Sequence, residues 1–131
     1  MMTKISEKSY ANVGISMPKL LLHVEGLVVL LLVGAYYAYQ GYSWLLFVLL
    51  LLAPDLAMLG YMVSKDIGSV TYNVVHTYTL PAILAVISLA AGFELGLPLA
   101  LIWFAHIGMD RMVGYGLKYP GDSKDTHLSR V

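Results

Sequence analysis

The chain has 131 residues, of which 59% are hydrophobic and only 12% charged, with eight Lys and Arg set against eight Asp and Glu. Ordinary soluble domains are about 45–50% apolar and about 25% charged, so a chain this small has too few polar side chains to cover a surface in water. Neutrality argues against a nucleic-acid partner, and the lack of cysteine excludes disulfides, thiolate nucleophiles and Cys-ligated metal. What remains is an all-α integral membrane protein, one domain over residues 1–131.

A helix needs about 20 mostly apolar residues to cross a hydrocarbon core about 30 Å thick. Four segments meet that length, at about 19–39, 44–62, 68–92 and 95–115. The first is too long for the apolar part of a signal peptide and lacks a clean cleavage site. The connections are short, which predicts four antiparallel transmembrane helices. Lys4, Lys8 and Lys19 precede the first segment, Lys65 separates the second from the third, and Arg111, Lys118, Lys124 and Arg130 end or follow the fourth. In a four-span arrangement all eight fall on one side. The positive-inside rule makes that side cytoplasmic, with both termini inside the cell membrane. Tyr36, Tyr37, Tyr39, Tyr42 and Trp44 gather at the opposite, outer end as an aromatic belt. Small residues, Ala53 and Ala57 on the second span and Ala82, Ala85 and Ser88 on the third, are expected at helix contacts.

His23, Glu25, Asp55, Asn73, His76, His106 and Asp110 lie inside these spans. Ionisable groups are costly in hydrocarbon and are expected to face the bundle interior or water. At a rise of about 1.5 Å per residue they sit roughly 5–14 Å from the cytoplasmic end of their spans. Four helices thus bring polar groups to one level. His106 and Asp110, four apart, share a helix face, as do Asn73 and His76, three apart. Pro81 removes the backbone bond to the Thr77 carbonyl and is expected to bend the third span beyond His76. Pro54 is expected to kink the second just before Asp55.

Two imidazoles and several carboxylates suit a divalent metal such as zinc, manganese or iron. His76, His106 and Asp110 are the candidate ligands, and Asp55 or Glu25 the candidate fourth ligand or general base. His23 and Asn73 complete the polar pocket. His23 and Glu25 are two apart and point in different directions, and Glu25, the deeper, is taken to face the centre. Arg111 is expected to snorkel to a phosphate or to pair with another helix. The polar tail, 117–131, with Asp125 and His127, is either a disordered terminus or a lid over the pocket. Two functions fit. One is metal-assisted hydrolysis of a lipid-like substrate from the bilayer. The other is a non-enzymatic role, as a small carrier, binding subunit or homo-oligomerising partner, with a polar network that only fixes helix register.

Pro54-Asp55-Leu56-Ala57-Met58-Leu59-Gly60-Tyr61, Tyr72-Asn73 and His76-Thr77-Tyr78 resemble the small bacterial membrane family catalogued as domain of unknown function 4260. So do His106-Ile107-Gly108-Met109-Asp110-Arg111, Gly114-Tyr115-Gly116-Leu117-Lys118-Tyr119 and Asp125-Thr126-His127-Leu128. The resemblance covers nearly the whole chain from the first span onward and implies that the tail belongs to the family pattern. A fainter likeness is to membrane-bound metal-dependent hydrolases, which carry a Pro-Asp, a His-Arg-Gly-x-Thr-His-Ser-like stretch and a His-x-x-x-Asp. Pro54-Asp55 and His106/Asp110 match the first and last, and His76 matches the second histidine of the middle motif. Thr71 stands where its first histidine would fall.

Overall fold

The computed structural model describes residues 16–119, 124 and 126–131, and these are helical apart from turns and one isolated bridge. Lys4, Lys8 and Asp125 lie outside the described residues. Helix α1 spans Met17–Tyr39, opened by a Ser16 side chain that accepts from Lys19 N–H and by Pro18 in its first turn. Ser43 caps α2, Trp44–Leu50, in the same way. The chain then tightens into a 3-10 helix over Ala53–Met62. Ser64 opens α3, Lys65–Val75, which is followed by α4, Thr79–Ala91, and α5, Gly96–Val113.

Met17–Tyr39 and Trp44–Met62 are each long and apolar enough to cross a membrane, with mean hydropathies of 2.0 and 2.1. α3 and α4 qualify as a third span if taken together, although they are bent by 41° where they meet. The expected single helix over 68–92 is therefore two. The break lies at 76–78, just before Pro81, as the missing N–H predicted. Thr77 reinforces it, since its hydroxyl takes the Thr79 N–H that would otherwise continue the ladder.

α5 differs from the others. It packs against both α1 and α4 and buries eleven of its 18 residues, including His106, Asp110 and Arg111. Its polar groups face protein, as the cost of charge in hydrocarbon requires. The outward sides of the remaining helices are apolar: Leu31, Leu32, Val48, Leu49, Leu56, Val86 and Leu89 are all more than half exposed. An apolar surface of that extent suits lipid rather than water.

The α1–α5 contact rests on two glycines. A Cβ on Gly26 would lie 2.5 Å from Arg111 Cβ and 2.6 Å from the Gly108 carbonyl, and one on Gly108 would lie 2.9 Å from the Gly26 carbonyl. Backbones this close need residues without side chains. The small residues expected at contacts are only partly there: Ser88 is buried, but Ala53 and Ala82 face outward. At the far end of the bundle Tyr37 is fully buried among Tyr42, Trp44 and Phe47, so it belongs to the core rather than to an aromatic belt.

Candidate metal centre

The site begins with a backbone defect. Within a continuous helix the Leu51 carbonyl would accept from Asp55 N–H, but Asp55 N–H bonds Leu52 instead, at 3.0 Å. The alternative 3-10 donor is residue 54, a proline with no N–H. The Leu51 carbonyl is left to accept from His106 Nδ1, at 2.7 Å. On the other side His76 ends α3, and its Nδ1 donates to the Tyr72 carbonyl at 2.8 Å. A carbonyl only accepts, so both Nδ1 atoms carry a proton, and in the neutral rings both Nε2 atoms present a lone pair.

Those lone pairs meet. His76 Nε2 and His106 Nε2 are 3.0 Å apart. Asp55 Oδ1 lies 3.2 Å from each, and Asp110 Oδ2 lies 3.2 Å from His106 and 3.5 Å from His76. One ligand atom from each of the four residues falls within 4.8 Å of all the others. A tetrahedral ion with bonds of about 2.0–2.1 Å has ligand–ligand edges of about 3.3–3.4 Å, and five of the six edges here measure 3.0–3.5 Å. Two imidazoles and two carboxylates are a donor set for zinc, manganese or iron. Both histidines are fully buried and the Asp110 side chain is 8% exposed, whereas that of Asp55 is 45% exposed. Three groups are fixed and one faces outward.

The surroundings hold these groups in place. Tyr72 stacks on the His76 ring at 3.7 Å. The break between α3 and α4 leaves carbonyls that must be satisfied inside the bundle. Trp103 Nε1 donates to the Val75 carbonyl at 2.6 Å, and Arg111 Nη2 to that of His76 at 3.0 Å. Arg111 does not snorkel. It is 8% exposed, and its Nη1 donates to the Tyr115 carbonyl. It pairs with another helix, the alternative expectation, and its partners there and in the turn after α5 are backbone carbonyls, the one at His76 left open by the break before Pro81.

Two residues expected in the pocket, Glu25 at its centre and His23 beside it, are elsewhere. Gly26 is turned into the α5 contact, so its neighbour Glu25, about 100° round the helix, faces a separate cleft with Tyr78, Arg111 and His127. Glu25 is no part of the four-residue cluster. His23 holds the carboxyl end of α5, its Nδ1 bonding the Met112 carbonyl at 2.8 Å. It lies against Gly114, whose φ of 104° turns the chain out of the helix.

Asn73 has a third role. Its amide donates to the Lys118 carbonyl at 2.7 Å and its carbonyl accepts from Lys118 N–H at 2.6 Å, as a neighbouring β-strand would. The Ser69 hydroxyl donates to the Tyr119 carbonyl, and Lys118 bridges Thr126. His127 accepts from Leu117 N–H through Nδ1 at 2.7 Å, while its own N–H donates to the Leu117 carbonyl. Leu128 is fully buried. The described part of the tail is packed onto α3 rather than free. Burial and then the Arg111 guanidinium hold the His127 pKa below its usual value, which keeps the ring in the neutral form that accepts from Leu117.

A cleft of about 570 Å³ opens beside the cluster. Asp55, Met58, Tyr72, Asp110 and Tyr115 line it together with Lys19, Lys118, Lys124 and Thr126. Lys118 and Thr126 come from the tail, so the tail forms one wall of the space over the two aspartates.

The profile of the family described as Domain of unknown function (DUF4260) matches residues 19–131, and the chain belongs to that family. No curated protein and no solved structure matches it.

Proposed function

We propose that this member of the family holds one divalent metal ion between His76, His106, Asp110 and Asp55, and hydrolyses an ester-like bond in a substrate that enters from the bilayer. The observation that carries the reading is the meeting of two imidazole lone pairs and two carboxylates at 3.0–3.5 Å. Each ring is oriented by a backbone carbonyl, the outer-sphere support that metal-binding histidines ordinarily have. When bound, the ion makes a water acidic enough to give up a proton near neutrality.

The rest follows from the chain's own groups. Asp55 is the exposed carboxylate: its Oδ1 is turned to the centre, and its other oxygen is the base. It accepts a proton from water as the water oxygen bonds to the electrophilic atom. The ester bond breaks, and the departing oxygen takes that proton from Asp55. His76, His106 and Asp110 stay fixed throughout by burial and by the Tyr72 and Leu51 carbonyls.

The membrane arrangement belongs to the same proposal. We take the bent α3–α4 pair as one crossing and the buried α5 as a fourth, which places both termini in the cytoplasm and the centre in the inner leaflet of the cell membrane. The basic residues support this, because four crossings put all eight on one side. A reporter fused after Val131 is expected to be active in the cytoplasm; periplasmic activity overturns the orientation.

A second reading has one observation in its favour. Four ligands from the chain are the complement of a closed structural zinc site, which would suit a non-enzymatic binding or carrier subunit, working as a homo-oligomer. Two measurements separate the readings. Metal analysis of the detergent-purified protein is expected to give one equivalent in the parent chain and much less in His76→Ala. Hydrolysis of chromogenic amphiphilic esters is expected in the parent and lost in Asp55→Asn. Stoichiometric metal with no hydrolysis of any ester tested leaves the structural reading. A parent chain that retains no zinc, manganese or iron refutes both.

A further inference from the structure

The cleft beside the centre carries information about what enters it. At about 570 Å³ it has the capacity of sites that take whole small molecules, and is far larger than a single bound anion needs. Its floor is Asp55 and Asp110, the two carboxylates of the centre, and three lysines from three parts of the chain line it. Lys19 comes from the first turn of α1, and Lys118 and Lys124 from the tail. Lys118 is the most enclosed, 8% exposed, with its Nζ 4.2 Å from the centre of the Tyr72 ring. Tyr72 in turn stacks on His76. Lysine, ring and imidazole form one column from the cleft to the centre.

Part of the remaining lining is apolar. Met58 and Tyr115 line the cleft, and beside Met58 the 3-10 helix presents Leu56 and Leu59, 68% and 60% exposed, on its outward side. An occupant can therefore place a charged end among the lysines and an alkyl part toward lipid.

We infer that the cleft recognises a phosphate-bearing amphiphile, held by Lys19, Lys118 and Lys124 with its phosphate over Asp55 and Asp110. Lysine binds a phosphate as a compact point charge, and three of them can meet its several oxygens from different sides. The inference rests on the metal-centre reading for what happens to the substrate, but the lysine recognition is separately testable.

The test is a binding titration of the full chain in a maltoside detergent, metal-loaded and chelator-treated, with dodecyl phosphate and with inorganic phosphate as probes. Dodecyl phosphate is expected to bind the loaded protein at least about tenfold more tightly than inorganic phosphate. Lys118→Met is expected to weaken it by roughly tenfold, with smaller losses in Lys19→Met and Lys124→Met. Lys118→Arg, which keeps the charge at the tail position, is expected to restore most of the affinity and shows whether the tail still folds. Binding that survives chelation but still depends on the lysines supports the cleft assignment, even where the metal reading fails. Equal affinities for the two probes overturn the amphiphile assignment in favour of free phosphate. Dodecyl phosphate binding unchanged in a chain carrying all three methionines overturns the inference, whatever metal the protein holds.

Discussion

Replacing His106 by alanine removes two things at once, and the structure separates them. The first is one of the four ligands proposed above. Structural zinc sites contribute about 10–16 kcal/mol, so one ligand in four is worth roughly 2.5–4 kcal/mol, or about 10²–10³ in affinity. The second is the partner of the Leu51 carbonyl, which Pro54 leaves without a backbone donor. An orphaned carbonyl in the bundle costs about 1–3 kcal/mol whether or not metal is present. Asp110→Asn weakens the first and leaves the second intact.

Thermal unfolding in detergent, with and without metal, reads both. At a metal concentration about 100 times the parent's Kd, binding stabilises the parent by about 2.7 kcal/mol, or roughly 10 °C in Tm for a chain of this size. Both variants are expected to lose almost all of that shift. Without metal, His106→Ala is expected to melt several degrees below the parent and Asp110→Asn close to it. If His106→Ala kept the full metal-dependent shift, the ligand assignment would be wrong. If its metal-free Tm equalled the parent's, the Leu51 bond would contribute nothing.

Gly26→Ala places a Cβ where Arg111 Cβ is 2.5 Å away and the Gly108 carbonyl 2.6 Å away. α1 and α5 must part by about 1 Å to regain ordinary contact, at about 1–3 kcal/mol, and an unchanged melting temperature would contradict that packing. Asn73→Ala deletes both bonds to Lys118; limited proteolysis is expected to cut residues 117–131 several times faster, and equal rates would show the clamp to be idle. The third prediction concerns pH. His127 has a lowered pKa in the fold, so the folded tail binds fewer protons than the unfolded one. Its contribution is complete above the ordinary histidine value of about 6.5 and is lost as pH falls through the lowered one. The groups facing that ring with it across the second cleft are Arg111, Glu25 and Tyr78. Proteolysis of the tail is expected to speed up on acidification in the parent but not in His127→Gln, and a parent rate that is flat down to pH 5 would refute it.

The parts of this arrangement that the sequence disclosed are those that follow from one-dimensional rules. Length and apolarity located the helices at 17–39 and 44–62 to within a few residues. Pro81 marked the break after His76, and the i, i+4 spacing placed His106 and Asp110 together. The convergence of Asp55, His76, His106 and Asp110 was visible as a common depth. Rotation about each helix axis was not, because it depends on which pairs of helices touch. Glu25 faces away from the centre because Gly26 meets Gly108, a contact between residues 82 positions apart that no local pattern announces. For Arg111, pairing with another helix is the expectation that holds, and which of its two expectations would hold was hidden for a related reason. Its partners are the carbonyls of His76 and Tyr115, and the need for a donor at His76 appears only once the helix break is seen. The tail turned on Asn73, whose amide acts as a length of strand for Lys118; among polar span residues it looked like one more pocket group.

In the proposed centre two imidazoles and two carboxylates surround one ion. X-ray absorption at the zinc edge, on detergent-purified full chain carrying one equivalent of zinc, tests it most directly. The predicted spectrum has four nitrogen or oxygen neighbours at about 2.0–2.1 Å with multiple scattering from two histidine rings, and loses one ring's scattering in His76→Ala. A water-like shell of six oxygens without imidazole scattering, or a spectrum the same in His76→Ala, would contradict the account.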